Sequence, residues 1–208
     1  METSLAQWFE PKKCVVLVVD MQNDYCSPKG FLASQGKDVT PIGEMVPRID
    51  QFISKARKAG ALIAFTLNTV LPDQLSDSEA RRYFRQKTRP GLGAYPLRGS
   101  WGHDVSEDFN ASADDLIIEK FRPSAFYNTS LNLLLRANDR STVVVCGTAT
   151  EGCVESTVRD AANYDYLPTI ISDCIMSLKT DLHEASMKVM THRFTALSSS
   201  DLIEHWSG

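Results

Sequence analysis

An acid, an amine and a thiol each follow a separate run of β-branched residues in this sequence. Asp20 comes directly after CVVLVV, Lys120 directly after DLIIE, and Cys153 ends the GTATEGC that follows TVVVC. A free thiol ionises at about 8.5, and its thiolate is the nucleophile. A helix N-terminus and a nearby ammonium such as Lys120 both favour that anion. Asp20 can take the thiol proton and later activate water. The small residues at 147–152 can turn backbone N–H groups inward to hold the oxyanion of a tetrahedral intermediate. Singly, each residue has a plainer reading: Asp20 a turn acid, Lys120 a solvated surface lysine, Cys153 a small core residue.

What brings the three together is the order of the elements. The runs at residues 14–19, 61–67 and 142–146 read as fully buried strands, and weaker runs at 115–119, 167–172 and 194–197 join them. Continuous apolar runs without polar alternation suit parallel strands covered on both faces. Helical periods lie between them. Val46, Ile49, Phe52, Ile53 and Ala56 share one face ahead of Gly60, with either Thr40–Pro41 or Pro47 at the start. Leu131, Leu134 and Leu135 mark a second helix, Val154 to Ala162 a third, and Leu182 to Met190 a fourth with Thr180 as N-cap. Ser200 starts a short terminal helix. Such alternation predicts an α/β, doubly wound, six-stranded parallel sheet with helices on both faces. Ligands of such sheets bind outside the carboxyl ends of the strands, the edge where Asp20, Lys120 and Cys153 arrive.

One stretch breaks the rhythm. Residues 68–114 hold three prolines, four glycines and the aromatics Tyr83, Phe84, Tyr95 and Trp101, with SDSE from Ser76 as a capping-box helix start. A connection this long is usually functional or disordered, and its aromatics favour an ordered lid or insert over a floppy linker. The 208 residues otherwise suit a single domain spanning 1–208. A net charge of −4 offers no basic field for nucleic acid. No apolar run approaches the roughly 20 residues that span a bilayer, and residues 1–13 lack a secretory h-region. Five scattered cysteines without a CxxC pair read as reduced thiols in a cytoplasmic protein. Four dispersed histidines supply no metal pattern.

Three motifs in register carry a resemblance. DMQND at 20–24, EKFRPSAF at 119–126 and GTATEGCVESTVRDA at 147–161 resemble the isochorismatase-like cysteine hydrolase superfamily (Rossmann-like in architecture). The resemblance implies an Asp20–Lys120–Cys153 catalytic triad, a thioester intermediate and a homodimer or homotetramer. It also implies a cis peptide between Ala149 and Thr150, and an oxyanion hole from the backbone of Thr150 and Cys153. Within the superfamily, the branch that cleaves the vinyl ether of isochorismate typically lacks the cysteine. Nicotinamidases typically carry an Asp-x-His metal pair after strand two, where this chain reads Leu67, Asn68, Thr69, Val70. The branch that remains acts on carbamoyl or ureido amides, and GSWGHDV at 99–105 is similar to its biuret and ureidoacrylate hydrolases.

The expected activity is therefore hydrolysis of a small carbamoyl- or ureido-type amide with release of ammonia, using no cofactor and no metal. A nicotinamidase-like or other small-amide hydrolase, a non-catalytic ligand- or partner-binding member, and a thiol sensor are the alternatives. Asn23, Trp101, Phe126, Tyr127 and Glu151 are the candidate substrate contacts, with Phe126 foremost. Each has a structural alternative: Asn23 as a turn cap, the aromatics as core or lid, Glu151 as a charge near a helix N-terminus. Cys14, Cys146 and Cys174 are expected to pack, Cys26 is open between an exposed and a pocket position, and His183 is expected to bond locally.

Overall fold

The computed structural model describes residues 5–207. Six strands form one sheet in the order β3-β2-β1-β4-β5-β6, every neighbouring pair parallel. They are β1 (Cys14–Val19), β2 (Leu62–Asn68), β3 (Leu116–Lys120), β4 (Thr142–Gly147), β5 (Leu167–Ile175) and β6 (Thr195–Leu197). The chain builds outward from β1 in one direction, then returns to β4 and builds in the other. The reversal lies between β1 and β4.

The main helices are α1 (Val46–Ala59), α2 (Glu79–Thr88), α3 (Leu131–Ala137), α4 (Glu155–Asn163), α5 (Thr180–Arg193) and α6 (Ser199–Ser207). Side chains alternate across a strand, and β1 shows what this does. Val16 and Val18 join Ile49, Phe52, Ile53 and Leu202 in the core under α1 and α6. Val15, Leu17 and Val19 join Leu131, Leu135, Val158, Ala161 and Met190 under α3, α4 and α5. Each fully buried side chain of this size contributes about 1.5–3 kcal/mol of hydrophobic stabilisation. Because both faces need apolar residues, the strand reads as an unbroken run.

Several boundaries differ from the sequence expectation for local reasons. Asp115 stands outside β3 because its carboxylate takes hydrogen bonds from Arg57 and the Ser112 N–H. β5 runs on to Ile175, past a register irregularity where Gly147 pairs with Ile175, so Cys174 lies inside the strand. α1 ends on a left-handed Gly60 (φ 100°) as expected. Both candidate starts are used: Thr40–Gly43 makes a single turn before α1. α2 is capped by Ser78, whose hydroxyl accepts from Arg81 N–H, whereas Ser76 Oγ takes the Leu71 N–H. Thr180 is the first residue of α5 rather than its cap.

The connection between β2 and β3 is tied to the body along its length. Val70 N–H donates to Pro96 O and Arg98 N–H to Val70 O, both at 2.9 Å. Asn23 N–H donates to Asp104 O and Ser106 N–H to Met21 O. No helix among the described residues is long and apolar enough to cross a membrane.

Candidate active site

Asp20, Lys120 and Cys153 converge at the carboxyl edge of β1, β3 and β4, beside the strand-order reversal. Lys120 is the last residue of β3, and its fully buried ammonium lies 2.8 Å from Asp20 Oδ2 and 3.2 Å from Cys153 Sγ. A third hydrogen bond reaches Arg122 O at 3.3 Å. Asp20 follows β1 with a left-handed backbone (φ 51°), a conformation that costs a non-glycine residue about 1–3 kcal/mol. Thr66 of β2 holds it there. The Asp20 N–H donates to Thr66 Oγ1 at 3.1 Å, and that hydroxyl donates to Asp20 Oδ1 at 2.6 Å.

Charge in this pocket is strongly coupled. Burial alone pushes the Lys120 ammonium toward neutrality, but Asp20 and then Cys153 more than offset it, and its pKa stands above the ordinary lysine range. The Cys153 thiol goes up to about 11, first through burial and then through the Asp20 carboxylate, with Lys120 pulling the other way. Against the expectation of a favoured thiolate, burial and Asp20 together outweigh Lys120 here. The second reason is local geometry. Cys153 sits in a π-turn, Thr150–Val154, that leads into α4, rather than in the first turn of a regular helix.

The π-turn is fixed on three sides. Thr148 N–H donates to Val19 O, and Thr148 Oγ1 to Met176 O at 2.9 Å. Thr150 Oγ1 lies 2.7 Å from His183 Nδ1 of α5, a contact across the fold in place of the local one expected for His183. Thr157 Oγ1 donates to Cys153 O at 2.7 Å and accepts the Ala125 N–H at 3.0 Å, linking α4 to the segment after Lys120. The cis peptide lies between Thr148 and Ala149, one bond before the expected position at Ala149 and Thr150. The run of small residues marks no particular bond; the anchoring of Thr148 to β1 and to the end of β5 sets where the chain turns. Among the described residues, the N–H groups of Ala149 and Thr150 donate no hydrogen bond. Ala149 is a free donor that the sequence reading missed.

The candidate substrate contacts divide. Asn23 is 1% exposed and both ends of its amide are spent, on Trp101 O at 2.8 Å and on Glu107 N–H at 3.1 Å. These bonds hold the connection in place. Phe126 packs in the core against Tyr164 and Tyr166, with ring centroids at 5.4 and 5.6 Å, because residues 121–126 fold under α4. Trp101 is partly exposed and donates its indole N–H to Glu107. Tyr127, 55% exposed, lines a depression of about 320 Å³ with Arg122, Pro123, Ser124, Ser156 and Asp160, away from Asp20, Lys120 and Cys153. Glu151 keeps its candidacy: Oε2 is buried and has no hydrogen-bond partner among the described residues.

Two sequence motifs prove to be halves of one clasp. Gln22 takes the Asn68 N–H on its oxygen and donates to His103 O. Asp24 accepts the Phe31 N–H, and a Cβ on Gly102 would fall 2.0 Å from its carboxylate, so a side chain there would have to displace it. Thr69 Oγ1 lies 2.8 Å from His103 Nε2, and Asn68 Nδ2 donates to Tyr25 OH at 2.8 Å. The side chains that stand after β2 are thus already hydrogen-bonded. Cys26, whose position is open on sequence grounds, is buried, as are Cys14, Cys146 and Cys174; all five cysteines are free. Among the described residues no group of three or more His, Cys, Asp or Glu side chains could hold a metal ion.

A doubly wound parallel sheet carrying an acid, an ammonium and a thiol at its switch point defines a class of thiol-bearing α/β proteins. Residues 14–201 match the isochorismatase domain, and the chain belongs to the isochorismatase family. It is 34% identical over 176 residues to the ureidoacrylate amidohydrolase RutB of a strain of Methylorubrum extorquens, covering 79% of this chain and 70% of that protein. The corresponding protein of Acinetobacter baylyi is 31% identical over 189 residues, covering 85% and 76%. A cysteine hydrolase from Pseudomonas syringae pv. phaseolicola 1448A superposes with a TM-score of 0.83 at 26% identity, covering 100% of this chain and 99% of that one. N-carbamoylsarcosine amidase from Thermoplasma acidophilum superposes with a TM-score of 0.71 at 26% identity, covering 90% and 96%. The family, and with it hydrolysis of amides, is what the isochorismatase domain and these relatives support.

Proposed function

We propose that this chain is a cysteine-dependent amidohydrolase that cleaves the terminal C–N bond of a small linear ureido or carbamoyl amide and releases ammonia. The observation that carries the reading is the single buried ammonium of Lys120, which bridges the Asp20 carboxylate at 2.8 Å and the Cys153 sulfur at 3.2 Å. Cys153 Sγ attacks the substrate carbonyl as its proton passes to Asp20. The backbone N–H groups of Thr150 and Cys153, with Ala149 as a further free donor, receive the oxyanion. Asp20 then hands the proton to the departing nitrogen, the C–N bond breaks, and ammonia leaves behind a thioester. Asp20 next draws a proton from water, which attacks the thioester and restores the thiol. Lys120 holds the acid and the sulfur at their separation throughout.

Further support for the substrate class comes from the ureidoacrylate amidohydrolases among the relatives. Glu151, two residues before the nucleophile with a free buried oxygen, is suited to accept a ureido N–H. Residues 68–114 act as the lid, clasped by Gln22, Asn23 and Asp24. The reading extends to a cytoplasmic homodimer or homotetramer; five free cysteines fit a reducing compartment. Exposed Ile117 and Leu133 offer apolar surface for the assembly.

Ammonia release from biuret, 3-ureidoacrylate, N-carbamoyl amino acids, nicotinamide and simple amides tests this directly. Turnover confined to ureido or carbamoyl substrates and lost at least a thousandfold in Cys153→Ala is expected. A loss of less than tenfold in that variant would remove the nucleophile assignment. Turnover of nicotinamide alone would replace the substrate class.

A further inference from the structure

Helix α5 meets the nucleophile's turn with polar side chains. A helix on a sheet ordinarily packs an apolar stripe against it, yet Leu182 and Val189 of α5 face solvent at 39% and 43% exposure. Among the described residues of this helix only Ser186 and Met190 are buried. Met190 joins the core shared with β1. His183 and Ser186, three positions apart and so on one side, go elsewhere. His183 Nδ1 lies 2.7 Å from Thr150 Oγ1, and Ser186 Oγ donates to Glu155 Oε2. Thr150 opens the π-turn and Glu155 opens α4 directly after it. Helix α5 thus grips the segment that carries Cys153 at both ends through hydrogen bonds.

The grip at Thr150 bears on the free donors. Thr150 is inaccessible to solvent, and His183 is the one hydrogen-bond partner of its hydroxyl among the described residues. The N–H groups that donate to nothing belong to this residue and to Ala149 before it. Thr148 and Thr157 anchor the chain before and after the turn; the hold on the first residue of the turn comes from α5. A hydrogen bond has direction as well as length, so this one fixes how the turn is rotated and where its N–H groups point. Oxyanion donors work only within about 2.7–3.1 Å of the developing charge.

We infer that His183 is a positioning residue for the oxyanion hole, acting through the Thr150 hydroxyl. This rests on the hydrolase reading above for Cys153 as nucleophile and for the backbone donors, and adds the group that aims them. The bond survives either state of Nδ1, which accepts from the hydroxyl when bare and donates to it when protonated. An asparagine amide offers an oxygen or a nitrogen at about the same reach and serves in both roles. In His183→Ala the buried hydroxyl is left unpaired, and the first residue of the turn loses its tie to α5. The sulfur keeps Lys120 and Asp20 beside it, so the defect belongs to the oxyanion and not to the thiol.

Two reactions of Cys153 separate the two. Acetyl transfer from p-nitrophenyl acetate joins Sγ to the carbonyl carbon through an oxyanion, then breaks the ester C–O bond and expels p-nitrophenolate, the thiol proton passing to Asp20. Alkylation by iodoacetamide displaces iodide at a saturated carbon and forms no oxyanion. The part of each rate that Cys153→Ala removes is the part compared. His183→Ala is expected to slow acetyl transfer at least tenfold and to leave alkylation within twofold. His183→Asn should recover most of the loss, and in a Thr150→Val background His183→Ala should add less than twofold. No Cys153-dependent acetyl transfer in the wild type, acetyl transfer indifferent to His183→Ala, an equal fall in both reactions, or no recovery with asparagine would each overturn the assignment. Ammonia release reports on the hydrolase reading separately, and there the loss in His183→Ala should fall on kcat with KM within twofold. Amide turnover with the same kcat in wild type and His183→Ala keeps hydrolysis and removes His183; acetyl transfer that needs His183, with no amide turned over, keeps His183 and removes hydrolysis.

Discussion

Asp20 raises the pKa of the thiol whose proton the proposed mechanism passes to it, and the two effects can be separated by substitution. Burial and then Asp20 hold the Cys153 thiol up at about 11, against Lys120. A group with a raised pKa ionises progressively as pH climbs toward that value. Alkylation of wild-type Cys153 by iodoacetamide is therefore expected to speed up about tenfold per pH unit from pH 7 to 10, since the thiolate is the reacting form. A plateau near pH 8 would show a thiol that is already ionised. In Asp20→Asn one anion leaves and the Lys120 ammonium remains. Alkylation at pH 8 should rise several-fold while ammonia release falls at least a thousandfold. A parallel fall in both would mean that Asp20 only shapes the pocket.

Among the elements, the π-turn and the β2–β3 connection are the ones whose supports lie elsewhere in the chain. Thr157 is fully buried and bridges Cys153 O to Ala125 N–H. Thr157→Val leaves that N–H unsatisfied, a loss of about 1–3 kcal/mol, read as a lower urea midpoint with an unchanged slope. Gly102 faces the Asp24 carboxylate so closely that a Cβ there must displace it. Gly102→Ala should loosen the clasp, so that proteolysis between residues 69 and 115 becomes at least tenfold faster. Unchanged cleavage would place the hold on the connection at Gln22 and Asn23 instead. SDSE is a sound helix signal whose cap falls two residues late, because Ser76 spends its hydroxyl on Leu71 N–H and leaves the cap to Ser78.

The molecule as a whole is two half-cores sharing one sheet. Phe52 packs on one face of β1 and Leu135 on the other, both essentially inaccessible to solvent. Phe52→Ala is expected to cost about 3–5 kcal/mol and Leu135→Ala about 2–5 kcal/mol. As the strands belong to both cores, unfolding should remain one transition in each variant. Tryptophan fluorescence and far-UV circular dichroism are expected to coincide; separated transitions would show that one half-core stands without the other.

The strand runs, the helix order and the three strand-end residues are legible in the sequence because each is local. Apolar periodicity is written into a few consecutive side chains, and a parallel sheet then delivers whatever follows its strands to one edge. The rest depends on distances between residues far apart in the chain. Thr66 holds Asp20 from 46 positions away and Lys120 reaches Cys153 across 33, so neither the spacing of these three groups nor the electrostatics of the thiol can be read beforehand. Asn23 and Phe126 look available by type; their burial, and their partners in residues 101–107 and at Tyr164 and Tyr166, come from elements far off in the chain. By type alone Glu151 is one of 26 acidic residues; that its Oε2 is buried without a hydrogen-bond partner among the described residues is a property of three-dimensional surroundings alone.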